Sequence, residues 1–149
     1  MARFSTGLRN ALASNYGLGA VMNGGVLYVY GNTAPRSPDE PPGAVEIGRI
    51  TTQGLAFIPG TDTGAGIKLE LVTPGALVNA GSLRLRGIGE GQAHWWRWCW
   101  AKPDPMILST YYPRVDGEIP GELRLLTVSI TPTTDVMVEQ FLVGLPMGV

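Results

Sequence analysis

"AHWWRWCWA", residues 93–101, places all four tryptophans, the only histidine and the only cysteine of the chain within nine positions. In a β-strand successive side chains point to opposite faces, so His94, Trp96, Trp98 and Trp100 share one face and Trp95, Arg97 and Cys99 the other. Three indoles in a row bury about 200 Å² each, which makes that face core or subunit interface. Left in water, the same stripe would be an aggregation hazard. Trp95 and Arg97, on the second face, are expected to form a contact surface, because Trp and Arg are enriched among interface hot spots. The alternative is a flat aromatic platform on which sugars or bases stack.

Around this strand the chain reads as a series of short strands. Val26–Tyr30 is an uninterrupted β-branched and aromatic run, as in a buried strand. Residues 44–51, 55–58 and 66–72 follow, the last alternating Ile67, Leu69 and Leu71 against Lys68 and Glu70. Residues 82–88 set Leu83 and Leu85 against Arg84 and Arg86, and Gly87, Gly89 and Gly91 are expected to turn them into a hairpin with the tryptophan strand. Residues 123–130 and 136–145 read as a closing pair about the turn at 131–135. Asp116-Gly117-Glu118 reads as a tight turn. The expectation is a mainly β chain: one β-sandwich or jelly-roll-like domain of about nine strands, residues 23–149.

Residues 1–22 form a helical arm ahead of it. Phe4, Leu8, Ala11, Leu12 and Tyr16 recur at helical spacing, Ser5 or Thr6 serves as N-cap, and Gly17 or Gly19 ends the helix. A short second turn through Ala20–Met22 is expected before Asn23. The helix either packs on its own sheet or docks on a neighbouring subunit. Because about nine strands can close a core without it, Phe4, Leu8, Leu12 and Tyr16 are assigned to contacts between subunits. The loop "GNTAPRSPDEPPG", 31–43, carries four prolines and cannot join a ladder. Pro35 and Pro38 are assigned to the same contacts, since prolines lower the entropy lost on docking.

Composition narrows the function. The chain has 149 residues, 21 Gly and 12 Pro, with 11 basic and 12 acidic residues giving a formal net charge of −1. Scattered basic residues argue against direct nucleic-acid binding, which needs a basic patch. One cysteine excludes an intramolecular disulfide and argues against a zinc site. No secretory h-region is seen near residue 1, and no apolar run approaches a membrane span, so no signal peptide and no membrane partner are expected. "DTGA", 62–65, matches the short aspartic-protease signature, but a glycine turn between strands explains Asp62 more simply. The glycines at 87, 89 and 91 do not complete a dinucleotide motif. Strand alternation sends Cys99 and His94 to opposite faces, away from a nucleophile and base pairing. No enzyme and no cofactor are expected.

Taken in order, "FSTGLRNALA" (4–13), "GGVLYVYGNTAP" (24–35), "WWRW" (95–98), "YPRVDGEI" (112–119) and "LLTVSITPTTDVMVEQFLVGLP" (125–146) resemble a family of small tailed-bacteriophage virion proteins. The chain differs from the family's pattern in its richer tryptophan strand and its proline-rich loop at 35–42. The resemblance implies a non-enzymatic, homo-oligomeric structural component of the virion, a decoration or adaptor of capsid, neck or tail, assembled in the host cytoplasm. Its partners would be copies of itself and other virion proteins. The competing expectation is a carbohydrate-binding module whose tryptophans stack on host glycan.

Overall fold

The computed structural model describes residues 2–61, 64–73 and 75–145. Among these residues, two short helices precede and interleave with twelve strands. They are β1 (Arg3–Phe4), α1 (Thr6–Ala13), α2 (Leu18–Met22), β2 (Val26–Tyr30), β3 (Gly48–Thr52), β4 (Leu69–Thr73) and β5 (Ala76–Asn79). Then follow β6 (Leu83–Gly87), β7 (Gly91–Gln92), β8 (Trp95–Cys99), β9 (Arg114–Glu118), β10 (Leu123–Leu125), β11 (Ser129–Ile130) and β12 (Asp135–Gly144). The main sheet is antiparallel and runs β1-β9-β8-β2-β3-β6-β12-β5-β4, with β10 also on β12; β7 and β11 form a separate pair. The chain is a mainly β, β-sandwich-like domain, as its strand-rich pattern predicts.

The sheet curls around its apolar face. β12 is the pivot: Asp135–Met137 pair with β6, Leu142–Gly144 with β5, and Val138–Phe141 face β10. This brings Phe141 back over β8, where its ring stands edge-on to Trp96 at 5.0 Å and to Trp98 at 5.5 Å. Leu27, Val29, Ile50, Leu85, Trp96, Trp98, Val115 and Phe141 are fully buried in one cluster. The indole N–H groups of Trp96 and Trp98 have no hydrogen-bond partner among the described residues. Burying 150–250 Å² of ring is worth roughly 4–6 kcal/mol, against about 1–3 kcal/mol for an unpaired N–H, so burial wins. Gly117 lies opposite Trp96 across β8 and β9, and a Cβ there would strike the indole.

Residues 2–22 belong to this same core and do not form a separate arm. β1 pairs with β9, Leu8, Leu18 and Met22 are buried in the main cluster, and Phe4 and Leu12 are half-buried against it. Ser5 fixes the entry to the helix. Its hydroxyl accepts from the N–H of Leu8 at 3.2 Å and of Arg114 at 2.8 Å, and donates to the Tyr112 carbonyl at 2.9 Å. The helix is eight residues long, and the chain turns at Asn15 (φ 87°), so Tyr16 leaves the apolar stripe and is exposed. Leu18 and Met22, four apart in α2, bury the next helical face.

Several pairings differ from the sequence expectation. β6 pairs with β3 and β12, not with the tryptophan strand, whose neighbours are β2 and β9. Residues 114–118 are a central strand and not a turn. Residues 123–130 break into β10 and β11. Leu55–Ile58 is not a strand; the segment folds back so that the Leu55 carbonyl accepts from the Thr51 hydroxyl. Ile50 points inward from β3 and is fully buried. Each miss is a long-range effect, because partners in the sheet decide which short run becomes a strand.

Candidate functional site

The second face of β8 is where the structure departs furthest from a simple sandwich. It is covered by the Pro-rich loop and by residues 101–113, and both Trp95 and Arg97 are 0% exposed. They are therefore not a contact surface. Trp95 stacks on Tyr30 with centroids 4.4 Å apart, and its indole N–H donates to Asn32 Oδ1 at 2.9 Å. Arg97 lies over the Trp95 ring and donates from Nε and Nη2 to the two carboxylate oxygens of Asp116, at 2.7 and 2.9 Å. Burial pushes the Asp116 carboxyl above its ordinary value, while the Arg97 hydrogen bonds pull it back.

A second buried guanidinium ties down the loops. Arg114 donates to both oxygens of Asp104 at 2.7 Å and to the carbonyls of Pro38, Asp39 and Ile107. Asp39 in turn accepts from the backbone N–H and the hydroxyl of Thr6 at 2.7 and 2.6 Å. Pro38 is buried and Pro35 half-buried, so the loop at 31–43 seals its own sheet. One side chain thus joins the Pro-rich loop, the start of α1 and the loop that follows β8. A charge buried this deeply is tolerated only with every donor paired, and the pairing leaves this region little room to move.

Beside this braced region lies a groove of about 650 Å³. Asn10 and Ala11 of α1, Ser14 at its C-terminal end and Val21 of α2 form one wall, and Trp100, Lys102, Thr110 and Tyr111 the other. Trp100, Tyr111 and Tyr112 pack edge to face, with centroids 5.1–6.3 Å apart, and the Lys102 ammonium sits 5.1 Å from the Trp100 ring centre. Trp100 is therefore half-buried at a surface, unlike its two neighbours on the same strand face. The groove is open and carries two exposed aromatic side chains: Tyr16 is 62% exposed and Tyr111 67%. α1 can approach this closely because Gly7 lies against the Tyr111 backbone, where a Cβ would collide.

The residues proposed from sequence thus part company. Tyr16 lines the groove; Leu8, Pro38, Trp95 and Arg97 are buried, and Phe4, Leu12 and Pro35 are half-buried within the chain. His94 is exposed at the mouth of a separate hollow with Asn32 and Glu118. Asp62 lies outside the described residues. Sequence reasoning missed Asp104, Arg114 and Asp116, although Arg114 and Asp116 sit two apart in an otherwise apolar run, the spacing of one strand face.

A single cross-strand row carries six charged side chains on this outer face. Register places Asp135, Arg86, Arg49, Tyr28, Arg97, Asp116 and Arg3 side by side across seven strands, from β12 through β6, β3, β2, β8 and β9 to β1. Its β8–β9 end is buried and paired; its β3–β6 end reaches solvent.

Among the described residues, no group of three or more His, Cys, Asp and Glu is placed to hold a metal ion, and no helix is long and apolar enough to cross a membrane. No protein-family model, curated protein or solved structure significantly matches this chain.

Proposed function

We propose that the chain is a non-enzymatic structural component of a tailed-bacteriophage virion, a homo-oligomeric decoration or adaptor of the capsid, neck or tail that binds copies of itself and other virion proteins. The observation that carries this reading is the open aromatic groove, lined by Tyr16, Trp100 and Tyr111, on a scaffold that buried ion pairs hold in place. Exposed aromatic and aliphatic side chains on a rigid frame lose little conformational entropy when a partner covers them. Symmetry then multiplies a modest pairwise contact into a stable assembly. The family resemblance of the segments 4–13, 24–35, 95–98, 112–119 and 125–146 supports the same reading. Mass spectrometry and electron microscopy of purified particles test it. The protein should be present in fixed copy number at symmetry-related positions, and its absence from particles overturns the proposal.

A second reading has one specific observation in its favour. Trp100 and Tyr111 with Lys102, Asn10 and Ser14 combine stacking surfaces and polar groups in one groove, the composition of a sugar site. Saturable binding of a host polysaccharide, lost in Tyr111→Ala, would favour it over a purely structural role.

A further inference from the structure

The outer face of β3 and β6 holds more positive than negative charge. Three guanidiniums, Arg49, Arg84 and Arg86, face two carboxylates, Glu46 and Asp135, which leaves one positive charge uncompensated. Glu46 is hydrogen-bonded to Arg49, and Asp135 to Arg84. Arg86 comes no closer to Asp135 than 3.7 Å, which is beyond a hydrogen bond, and its side chain is 56% exposed. Register sets Arg86 directly opposite Arg49 in the β3–β6 ladder. Like charges in that position destabilise a sheet, so the pairing calls for something between them.

The ground beside them is shaped. Arg49 and Arg86 line a cleft of about 180 Å³ with Thr51, Leu55, Phe57 and Ile88. Arg86 reaches it by crossing the turn at Gly54, where φ is +71° and a Cβ would stand 2.7 Å from Arg86 Nε. A residue with any side chain would be strained at that φ and would push the guanidinium away. Arg49 is held from behind, its guanidinium 5.2 Å above the Tyr28 ring.

We propose that this cleft is an oxyanion site, with Arg86 as its principal ligand and Arg49 as the second. Guanidinium forks bind carboxylate and phosphate through paired, charge-assisted hydrogen bonds, and an anion here would turn the one like-charge contact of the row into two favourable ones. Either free phosphate or a carboxylate of a second copy of the chain supplies that chemistry. The site stands on different residues from the aromatic groove and does not rest on the virion role.

Calorimetric and thermal-melting titrations with inorganic phosphate, against sodium chloride at equal ionic strength, test the site. The full chain should bind phosphate saturably and melt higher with it than with chloride. Arg86→Gln should weaken that binding by about tenfold or more. In phosphate-free buffer of low salt the same variant should melt no lower than the parent, because it removes the like-charge contact; a structural Arg86–Asp135 bond predicts a lower midpoint. Light scattering separates the two sources. Phosphate that dissociates an oligomer, together with weaker association of Arg86→Gln, assigns the site to a neighbour's carboxylate; an unchanged mass assigns it to free phosphate. Equal responses of parent and Arg86→Gln to phosphate and chloride overturn the proposal.

Discussion

Arg97 and Asp116 meet fork to fork across β8 and β9, both wholly buried, under a roof made by the Pro-rich loop and residues 101–113. A charged pair stands where the alternation of a β-sandwich strand would put solvent. Removing one partner would strand the other charge in the interior. Asp116→Ala or Arg97→Ala should therefore cost about 3–5 kcal/mol in urea unfolding. Replacing both with apolar residues of similar volume should recover much of that loss, and a double variant no better than either single one would count against a true pair.

The tryptophan core makes a sharper prediction at a glycine. Trp96→Ala should cost about 3–5 kcal/mol. Gly117→Ala adds one methyl group yet drives it into the Trp96 indole, so it should cost about 1–3 kcal/mol through overpacking. A melting point equal to the parent's would mean that the ring is free to move aside.

The first sixteen residues are predicted to be indispensable to the fold. Their removal deletes β1, uncovers the site of Leu8 and strips Ser5 from the backbone N–H of Arg114. Circular dichroism of the truncated chain should show loss of cooperative unfolding. Ser5→Ala alone should cost about 1–2 kcal/mol, the upper part of the range for a lost N-cap, since the hydroxyl serves three backbone groups.

Alkaline pH should unfold the protein through its buried phenols. Burial, then the neighbouring Cys99, pushes the Tyr28 hydroxyl up to about 12 from an ordinary value of 10, and Tyr30 shifts in the same direction. A folded value above the unfolded one gives stability that is complete below pH 10 and lost as pH rises through about 12. Stability measured by denaturant should fall across that window, with the tyrosinate absorbance of Tyr28 and Tyr30 appearing as the chain opens. Tyr28→Phe should flatten part of the slope.

Changes at the groove should leave the fold alone and weaken assembly. Tyr111→Ser and Tyr16→Ser replace exposed side chains, so stability should stay within about 0.5 kcal/mol of the parent. Incorporation into particles should drop in a competition with the unsubstituted chain. Undiminished incorporation would move the contact surface away from the groove.

What the sequence determined by itself is what depends on near neighbours. An uninterrupted β-branched and aromatic run at 26–30 and two-residue alternation within 82–88 identified those strands, and alternation along the tryptophan stretch set Trp96 and Trp98 inward together. Helical spacing with a Ser5 cap identified the first helix, which lacks the length to stand alone and so must dock. Where it docks was a tertiary decision, taken by β9 and the core at Leu8. The same holds for the far face of β8. Alternation placed Trp95 and Arg97 there correctly, but only the return of residues 31–43 and 101–113 over that face decided that it is buried. Asp116 shows the limit most plainly. As part of D-G-E it reads locally as a turn, because Asp and Gly favour turns. It becomes the centre of a strand only because Arg97, nineteen residues earlier, waits opposite it in the ladder, and a carboxylate enters a protein interior only when such a partner is already in place.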